Sequence, residues 1–232
     1  MLKYIGFLVL FAFVSCNPRL ANGLRKNDLK KDVEMTTTRG TILIRLSDST
    51  PIHRDNFLKL VKQKYYDSVL FHRVIKNFMI QAGDPGSKTA KPGDELGGGD
   101  PGYTLPAEFR PGLFHRKGAV AAAREGDAEN PAKASSGSQF YIVEGKIFTD
   151  AGLDSVETNR LHGRKIPDAQ RAVYKSIGGS PHLDQSYTVF GEVIGGLPVV
   201  DTIAAVQTSG RPYDRPLTDI RILKMRLVRR KR

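Results

Sequence analysis

The chain has 232 residues, 40% of them hydrophobic and 26% charged, which excludes a disordered or fibrous protein and predicts a single globular domain with one substantial core. Its formal charge of +12 would suit a nucleic-acid or anionic-surface partner. Much of that excess lies in residues 24–31 and 226–232, however, so we interpret both segments as solvated tails and expect no nucleic-acid partner.

The N-terminus has the features of a secretory signal. Lys3 precedes an apolar run from Tyr4 to Val14, which is too short to span a bilayer. The run ends next to Cys16, the only cysteine in the chain. The segment resembles a bacterial lipoprotein signal, in which the thiol after a small residue is lipidated, although Phe13 stands where such signals usually carry leucine. A plain signal with an incidental cysteine is the alternative.

This interpretation predicts how the chain is organised. Its predicted parts are a signal peptide (1–15), a lipid-anchored tether (16–32), a folded domain (33–228) with an insertion at about 149–179, and a basic tail (229–232). We expect a lipoprotein of the cell envelope, attached to a bacterial membrane through Cys16, with its domain in the periplasm or outside the cell. A lone cysteine excludes an intramolecular disulfide, so stability must come from the core.

The domain is predicted to open with a hairpin and a helix. Val33–Thr38 and Thr41–Leu46 are rich in β-forming residues and flank a turn at Arg39-Gly40. Thr50-Pro51 predicts a helix start, with threonine as the N-cap, and the helix is expected to run towards Lys64. Its expected apolar face consists of Ile52, Phe57, Leu60 and Val61.

The segment FHRVIKNFMIQAGD, Phe71–Asp84, reads as two short apolar strands. Arg73 lies inside the first of them, and a charge in so apolar a segment needs polar partners. If the strands form a hairpin centred on Asn77, Arg73 lies opposite Gln81 and shares its face. In that register the Gln81 amide orients the guanidinium, and Met79 supplies an apolar floor.

The remaining elements are short. Gly83–Gly102 is a long Gly/Pro-rich loop, and such loops are usually functional or disordered. Helices are predicted over Pro167–Ile177, where Ala169, Val173 and Ile177 recur at four-residue spacing, and over Pro198–Val206. Strands are predicted near Tyr103–Phe109, Gly118–Arg124, Gln139–Val143, Tyr187–Ile194 and Leu217–Val228. Many short strands without a βαβ rhythm favour a closed antiparallel barrel.

Several motifs that carry chemistry are missing from the sequence. It has no GxSxG, no HExxH and no paired cysteines, and its five histidines are scattered. Gly86-Ser87-Lys88-Thr89 lacks the glycine that a phosphate-binding loop places before its lysine. We therefore expect no metal site, no cofactor and no covalent nucleophile.

Three motifs, FHRVIKNFMIQAGD, SGSQFYIV (Ser136–Val143) and LDQSYTVFGEV (Leu183–Val193), together resemble the cyclophilin family of peptidyl-prolyl isomerases. The resemblance covers about residues 33–228, apart from the insertion. It implies a mainly β fold, a closed eight-stranded antiparallel barrel capped by helices, with the substrate groove on the outer surface. We expect a helix of the insertion to form a rim of this groove.

The same resemblance implies the roles of individual residues. Arg73 would be the catalytic hydrogen-bond donor. Phe78, Met79, Tyr141 and Leu183 would line a proline pocket, Gln81, Ala123, Arg124 and Gln139 would contact the peptide backbone, and Tyr187 and His72 would lie at its edges. Taken singly, Phe78, Met79 and Leu183 could be core residues and Arg73 a structural ion-pair residue, and only their joint occurrence favours the site. His182 stands where many eukaryotic members have tryptophan, a departure that bears on cyclosporin binding rather than on isomerase activity.

The predicted function is therefore peptidyl-prolyl cis-trans isomerisation by a monomer that acts on proline-containing, unfolded or flexible polypeptides outside the cytoplasm. The alternative is a proline-peptide-binding or chaperone module with incidental turnover. Retention of Arg73 together with its pocket favours the enzyme, since a pure binder could dispense with the guanidinium.

Overall fold

The computed structural model describes residues 23–230. The predicted signal peptide, Cys16 and the first part of the tether lie outside the described residues. Within this range the α-helices are α1 (Pro51–Lys62), α2 (Asp150–Asn159), α3 (Asp168–Ser176) and α4 (Leu197–Ala204). Short 3-10 helices occupy Lys26–Lys30, Pro85–Thr89 and Pro181–Leu183. None of the helices in this part of the chain is long and apolar enough to cross a membrane.

The fold is mainly β, as predicted. The strands are β1 (Lys31–Thr37), β2 (Gly40–Leu46), β3 (Phe71–Ile75), β4 (Met79–Ala82), β5 (Thr104–Leu105), β6 (Ala119–Ala122), β7 (Ser135–Ser136), β8 (Phe140–Val143), β9 (Val189–Gly195) and β10 (Ile222–Arg229). Eight of them form one antiparallel sheet in the order β10-β1-β2-β9-β6-β8-β4-β3, and β5 pairs with β7.

The sheet curls into a half-barrel, and the predicted closed barrel is not confirmed. Its edge strands are β10 and β3. In the described chain they meet at an isolated bridge between Leu70 and Arg221, supported by a bond from the Phe71 N–H to the Ile220 carbonyl (2.9 Å), and not along a paired ladder.

Both faces of the sheet carry apolar layers, because side chains alternate along each strand. Phe140 and Ile142 of β8 point into the main core, where the Phe140 ring packs against Phe57 of α1 with centroids 5.2 Å apart. Tyr141 and Val143 point outwards into a second cluster with Met79. This outer layer is the feature that positions the site.

The start of α1 differs from the prediction. Thr50 precedes Pro51 as expected, but its hydroxyl is buried without a hydrogen-bond partner in the described residues. The carboxylate of Glu108 accepts the N–H groups of Ile52 (3.3 Å) and His53 (2.9 Å) instead. A distant side chain thus satisfies donors that the helix leaves free.

In the first turn of α1, Ile52 is 43% exposed, whereas the rest of the predicted apolar face is buried. The helix ends at Lys62, two residues before the predicted end at Lys64.

The folded region begins earlier than residue 33. Leu24 is fully buried, and Asp28 forms ion pairs with Lys31 (3.1 Å) and Lys62 (2.8 Å). Residues 24–32 therefore pack on the domain and are not part of a loose tether. At the other end, residues 226–229 of the basic segment lie in β10, where Arg226 pairs with Glu34 (2.7 Å).

The insertion contains two helices, of which only α3 was predicted. The face that α3 buries carries Tyr174, while Ala169 and Ile177 are exposed. Tyr174 packs with Leu153 of α2 in a separate small core. The four-residue apolar spacing therefore identified the helix correctly but predicted the wrong buried face.

Candidate active site

The hairpin of β3 and β4 has the predicted register. Arg73 lies opposite Gln81, and Ile75 lies opposite Met79. The turn places Asn77 at φ 61°, a left-handed conformation that asparagine tolerates better than most residues. Arg73 and Gln81 consequently share the outer face, while Met79 joins the outer apolar layer.

A cavity of about 270 Å³ opens on this layer. Its volume lies near the lower end of the range of ligand pockets, which suits a small ring better than a large ligand. Every residue predicted for the substrate site except Gln139 lines it: His72, Arg73, Phe78, Met79, Gln81, Ala123, Arg124, Tyr141, Leu183 and Tyr187. Gln139 lines the adjoining groove.

Arg73 stands at the edge of the cavity with its side chain 39% exposed. Its Nη1 donates to Gln81 Oε1 at 3.5 Å, and its Nε lies 3.7 Å from Asp214 Oδ2. These two contacts orient the guanidinium. Both are long, and a guanidinium has five N–H donors, so donors remain free for a substrate. Asp214 carries no sequence signal that could have identified it.

Gln139 sets the orientation of the Gln81 amide. Its Nε2 donates to Gln139 Oε1 (3.1 Å), which turns the Gln81 oxygen towards Arg73. Gln139 in turn donates to the carbonyls of Gly97 (2.7 Å) and Gly99 (2.8 Å). Gln139 therefore holds one wall of the site, and its contact with a substrate backbone stays a prediction.

The glycine-rich loop is ordered around one carboxylate. Asp84 accepts the N–H of Gly86 (2.7 Å) through Oδ1 and that of Gly97 (2.5 Å) through Oδ2. Leu96 and Gly97 thereby reach the cavity, which their place in a long Gly/Pro-rich loop could have indicated. Pro212 and Tyr213 also line it, and no sequence motif marks them.

The guanidinium of Arg124 is already engaged within the protein. Its Nε donates to the Ser186 carbonyl (2.8 Å), its Nη2 pairs with Asp127 (2.6 Å), and its plane lies 4.4 Å from the centre of the Tyr187 ring. Only 4% of its side chain is exposed. Arg124 thus fixes the Tyr187 side of the pocket.

The Tyr141 hydroxyl belongs to a buried polar chain. It lies 2.9 Å from His115 Nε2, and His115 Nδ1 lies 2.9 Å from Asp184 Oδ1. Asp184 also accepts the His115 backbone N–H (2.8 Å) and the Tyr174 hydroxyl (2.6 Å). The chain connects the pocket wall to α3 of the insertion, and burial raises the pKa values of both tyrosines, which keeps their hydroxyls protonated.

The two histidines near the pocket are uncharged at neutral pH. Burial lowers the pKa of His72 to about 4, and its ring nitrogens have no hydrogen-bond partner in the described residues. Burial, reinforced by the positive charge of Arg160, lowers the pKa of His182 to about 4 as well. His182 packs against Phe78, with ring centroids 5.4 Å apart.

His72 should make stability depend on pH. Its folded-state pKa of about 4 lies below the ordinary value of 6.5, so the unfolded chain binds the proton first as pH falls. Between roughly pH 7 and pH 4, this difference should lower the free energy of unfolding of the wild type by about 3 kcal/mol. A His72→Leu variant has no group to titrate here, so this part of the fall should be missing from it. Urea denaturation across this range measures the difference, and parallel curves for the two proteins would refute it.

The arrangement favours catalysis by hydrogen bonding. A half-exposed guanidinium faces a cavity with an apolar floor of Met79, Tyr141 and Leu183. No group of three or more His, Cys, Asp or Glu residues in the described range could hold a metal ion.

Comparison with known proteins relates this chain to one protein family. The family model for cyclophilin-type peptidyl-prolyl cis-trans isomerases matches residues 32–227. A Staphylococcus haemolyticus protein assigned to the peptidyl-prolyl cis-trans isomerases is 34% identical over 204 residues, which cover 88% of this chain and 93% of that protein. A Staphylococcus aureus protein with the same assignment is 35% identical with the same coverage.

Solved structures of similar proteins have the same fold. A cyclophilin-type isomerase from Cryptosporidium parvum superposes with a TM-score of 0.60 at 24% identity, covering 87% of this chain and 99% of that one. The structure of the same protein in the presence of the dipeptide Ala-Pro superposes with a TM-score of 0.59 at 25% identity, covering 85% and 98%.

Proposed function

The chain belongs to the cyclophilin-type peptidyl-prolyl cis-trans isomerase family, and we propose that its cavity at Arg73 accelerates X-Pro rotation in polypeptides that fold outside the cytoplasm. The observation that carries this proposal is the pairing of an oriented, half-exposed guanidinium with a cavity that has an apolar floor of Met79, Tyr141 and Leu183.

The chemistry requires one directed hydrogen bond. Resonance gives the peptide C–N bond its double-bond character and a barrier of about 18–20 kcal/mol. Arg73 donates towards the prolyl nitrogen as the amide twists, which draws the lone pair out of conjugation. The bond catalyses because it is stronger in the twisted state than in the planar one. Phe78 and Met79 hold the proline ring and exclude water.

The resulting mechanism transfers no proton and uses no cofactor. Its substrates are proline-containing segments that are unfolded or flexible, since the cavity lies on the outer face of the sheet and receives an extended chain. The direct test is NMR exchange spectroscopy on a short neutral Ala-Ala-Pro-Ala peptide with catalytic amounts of protein. An unchanged cis-trans exchange rate would refute isomerase activity on such peptides.

The cellular place of this activity follows from the N-terminal sequence. The apolar run that ends next to the lone Cys16 supports secretion and lipid attachment, which would leave the domain tethered to a membrane. The predicted tether would then be shorter than residues 16–32, because the chain packs on the domain from Leu24 onwards.

Replacing Cys16 tests the anchor. In a bacterial expression host that attaches lipids to secreted proteins, we expect the wild type to incorporate labelled fatty acid and to sediment with membranes. Cys16→Ser should do neither, because serine supplies no thiol. Ser15→Ala serves as a control that leaves the thiol in place. Membrane association that persists in Cys16→Ser would contradict lipid attachment at this residue.

A further inference from the structure

A second groove, which we call the basic groove, adjoins the proline cavity. It encloses about 540 Å³ and shares Arg73 and Phe78 with that cavity. The insertion contributes Val156 of α2 and Arg160, which directly follows that helix, and Phe148 lies just before the insertion. The sequence predicted instead that the later helix, α3, would form the rim.

The basic groove carries positive charges that are not neutralised. Lys146, Arg160 and Arg211 line it and are exposed, and no aspartate or glutamate does so. None of the three has an ion-pair partner within residues 23–230, and Lys146 lies over the Phe148 ring at 5.1 Å.

The carboxylates of α2 are engaged elsewhere. Arg171 pairs with Asp150 (3.1 Å), Asp154 (3.0 Å) and Glu157 (2.9 Å). Lys165 also binds Glu157 (2.7 Å), and its hydrogen bond is the main cause that lowers the pKa of that carboxyl to about 2. These contacts hold α2 against α3 and leave Arg160 facing the groove uncompensated.

The opposite side of the proline cavity has the opposite charge. Beyond Gln81 lies a groove of about 360 Å³ lined by Asp100, Glu125 and Glu129. None of these carboxylates forms an ion pair in the described residues, and the one cation there, Arg124, is paired with Asp127. A peptide laid across the cavity would therefore meet positive potential on one side and negative potential on the other.

We propose that the basic groove binds an acidic stretch on one side of the target proline, so that the enzyme prefers X-Pro bonds with aspartate or glutamate on that side. This inference rests on the proposed function and assigns a substrate class to it. Charge complementarity selects the occupant, and continuity with the proline cavity through Arg73 and Phe78 makes the occupant part of the same polypeptide.

The test uses peptides with a central Ala-Pro-Ala and a pair of Glu, Ala or Lys residues on either flank. We expect a Glu pair on one flank to raise kcat/KM about three- to tenfold over the Ala pair, as a few partly exposed charge contacts would. A Lys pair on that flank should lower it. Because exposed pairs are screened, the preference should shrink in about 0.5 M salt.

Variants locate the preference. Lys146→Gln with Arg160→Gln should abolish it, whereas Lys26→Gln with Lys224→Gln, which removes two exposed charges that do not line the groove, should leave it intact. Equal rates for the Glu and Ala peptides, an equal Glu preference on both flanks, or a preference that survives in the groove variant would overturn the inference. Failure to isomerise the all-Ala peptide would instead contradict the proposed function.

Discussion

Arg73→Ala is expected to lower kcat/KM for a neutral X-Pro peptide about 100- to 1,000-fold, the usual effect of removing one preorganised donor from a transition state. The only other cation lining the proline cavity in the described chain is Arg124, and its guanidinium is already engaged with Ser186 and Asp127. No neighbouring group can therefore replace the lost hydrogen bond. NMR exchange spectroscopy at several peptide concentrations measures the rate.

Peptide affinity separates catalysis from binding in the same variant. The apolar floor of Phe78, Met79 and Leu183 remains in Arg73→Ala, so the dissociation constant should change by much less than the rate. In a proline-peptide-binding or chaperone module with incidental turnover, the rate would change little in Arg73→Ala, because its turnover would not depend on one guanidinium.

Two further variants bracket the result. Arg73→Lys keeps the charge but loses the planar fork that Gln81 and Asp214 orient, so most of the rate should be lost. Arg226→Ala removes an exposed arginine paired with Glu34, far along β10, and should leave the rate unchanged. Equal rates in Arg73→Ala and the wild type would remove Arg73 from the mechanism.

The core of the site could be predicted from the sequence because it depends on local pairing. In the β3–β4 hairpin, alternation and turn position are enough to place Arg73 opposite Gln81. The same alternation places Tyr141 of β8 on the face opposite to Phe140. The function predicted from the motif FHRVIKNFMIQAGD therefore depends mostly on short-range strand pairing.

The features that could not be predicted from the sequence depend on long-range contacts. Glu108 caps α1 across more than 50 residues of sequence. The N-cap pattern at Thr50 therefore could not reveal that its hydroxyl has no hydrogen-bond partner among residues 23–230. Asp214 reaches Arg73 through a segment without any motif. Such contacts are set by how the loops pack, which periodicity does not encode.

The insertion shows the same limit in another form. Apolar spacing located α3 but chose Ala169 and Ile177 as its buried side. The residue that is buried, Tyr174, is amphipathic, and its hydroxyl satisfies the carboxylate of Asp184. Gly179 lies so close to the His115 carbonyl that a Cβ would come within 2.3 Å of that oxygen, which brings the end of the insertion against this buried chain.

Asp184→Ala is expected to lower the free energy of unfolding by about 3–5 kcal/mol, the cost of breaking a buried charged network at one partner. Asp184 is 3% exposed and accepts from the His115 N–H, His115 Nδ1 and the Tyr174 hydroxyl. Alanine would leave these donors buried and unpaired, at about 1–3 kcal/mol each before relaxation. Urea denaturation followed by circular dichroism measures the loss.

Graded variants distinguish this network from a general sensitivity to mutation. Asp184→Asn keeps one acceptor oxygen and should lose about 1–3 kcal/mol, which also gives a folded protein if the alanine variant does not fold. Tyr141→Phe leaves Asp184 and its donors in place, so about 1 kcal/mol should be lost and isomerase activity retained, because the hydroxyl points to His115 and not into the cavity. Asp201→Ala, at an exposed carboxylate paired with Lys117, should change stability by about 0.5 kcal/mol or less. If Asp184→Ala unfolded at the same urea concentration as Asp201→Ala, the buried chain between the insertion and the pocket wall would not stabilise the fold.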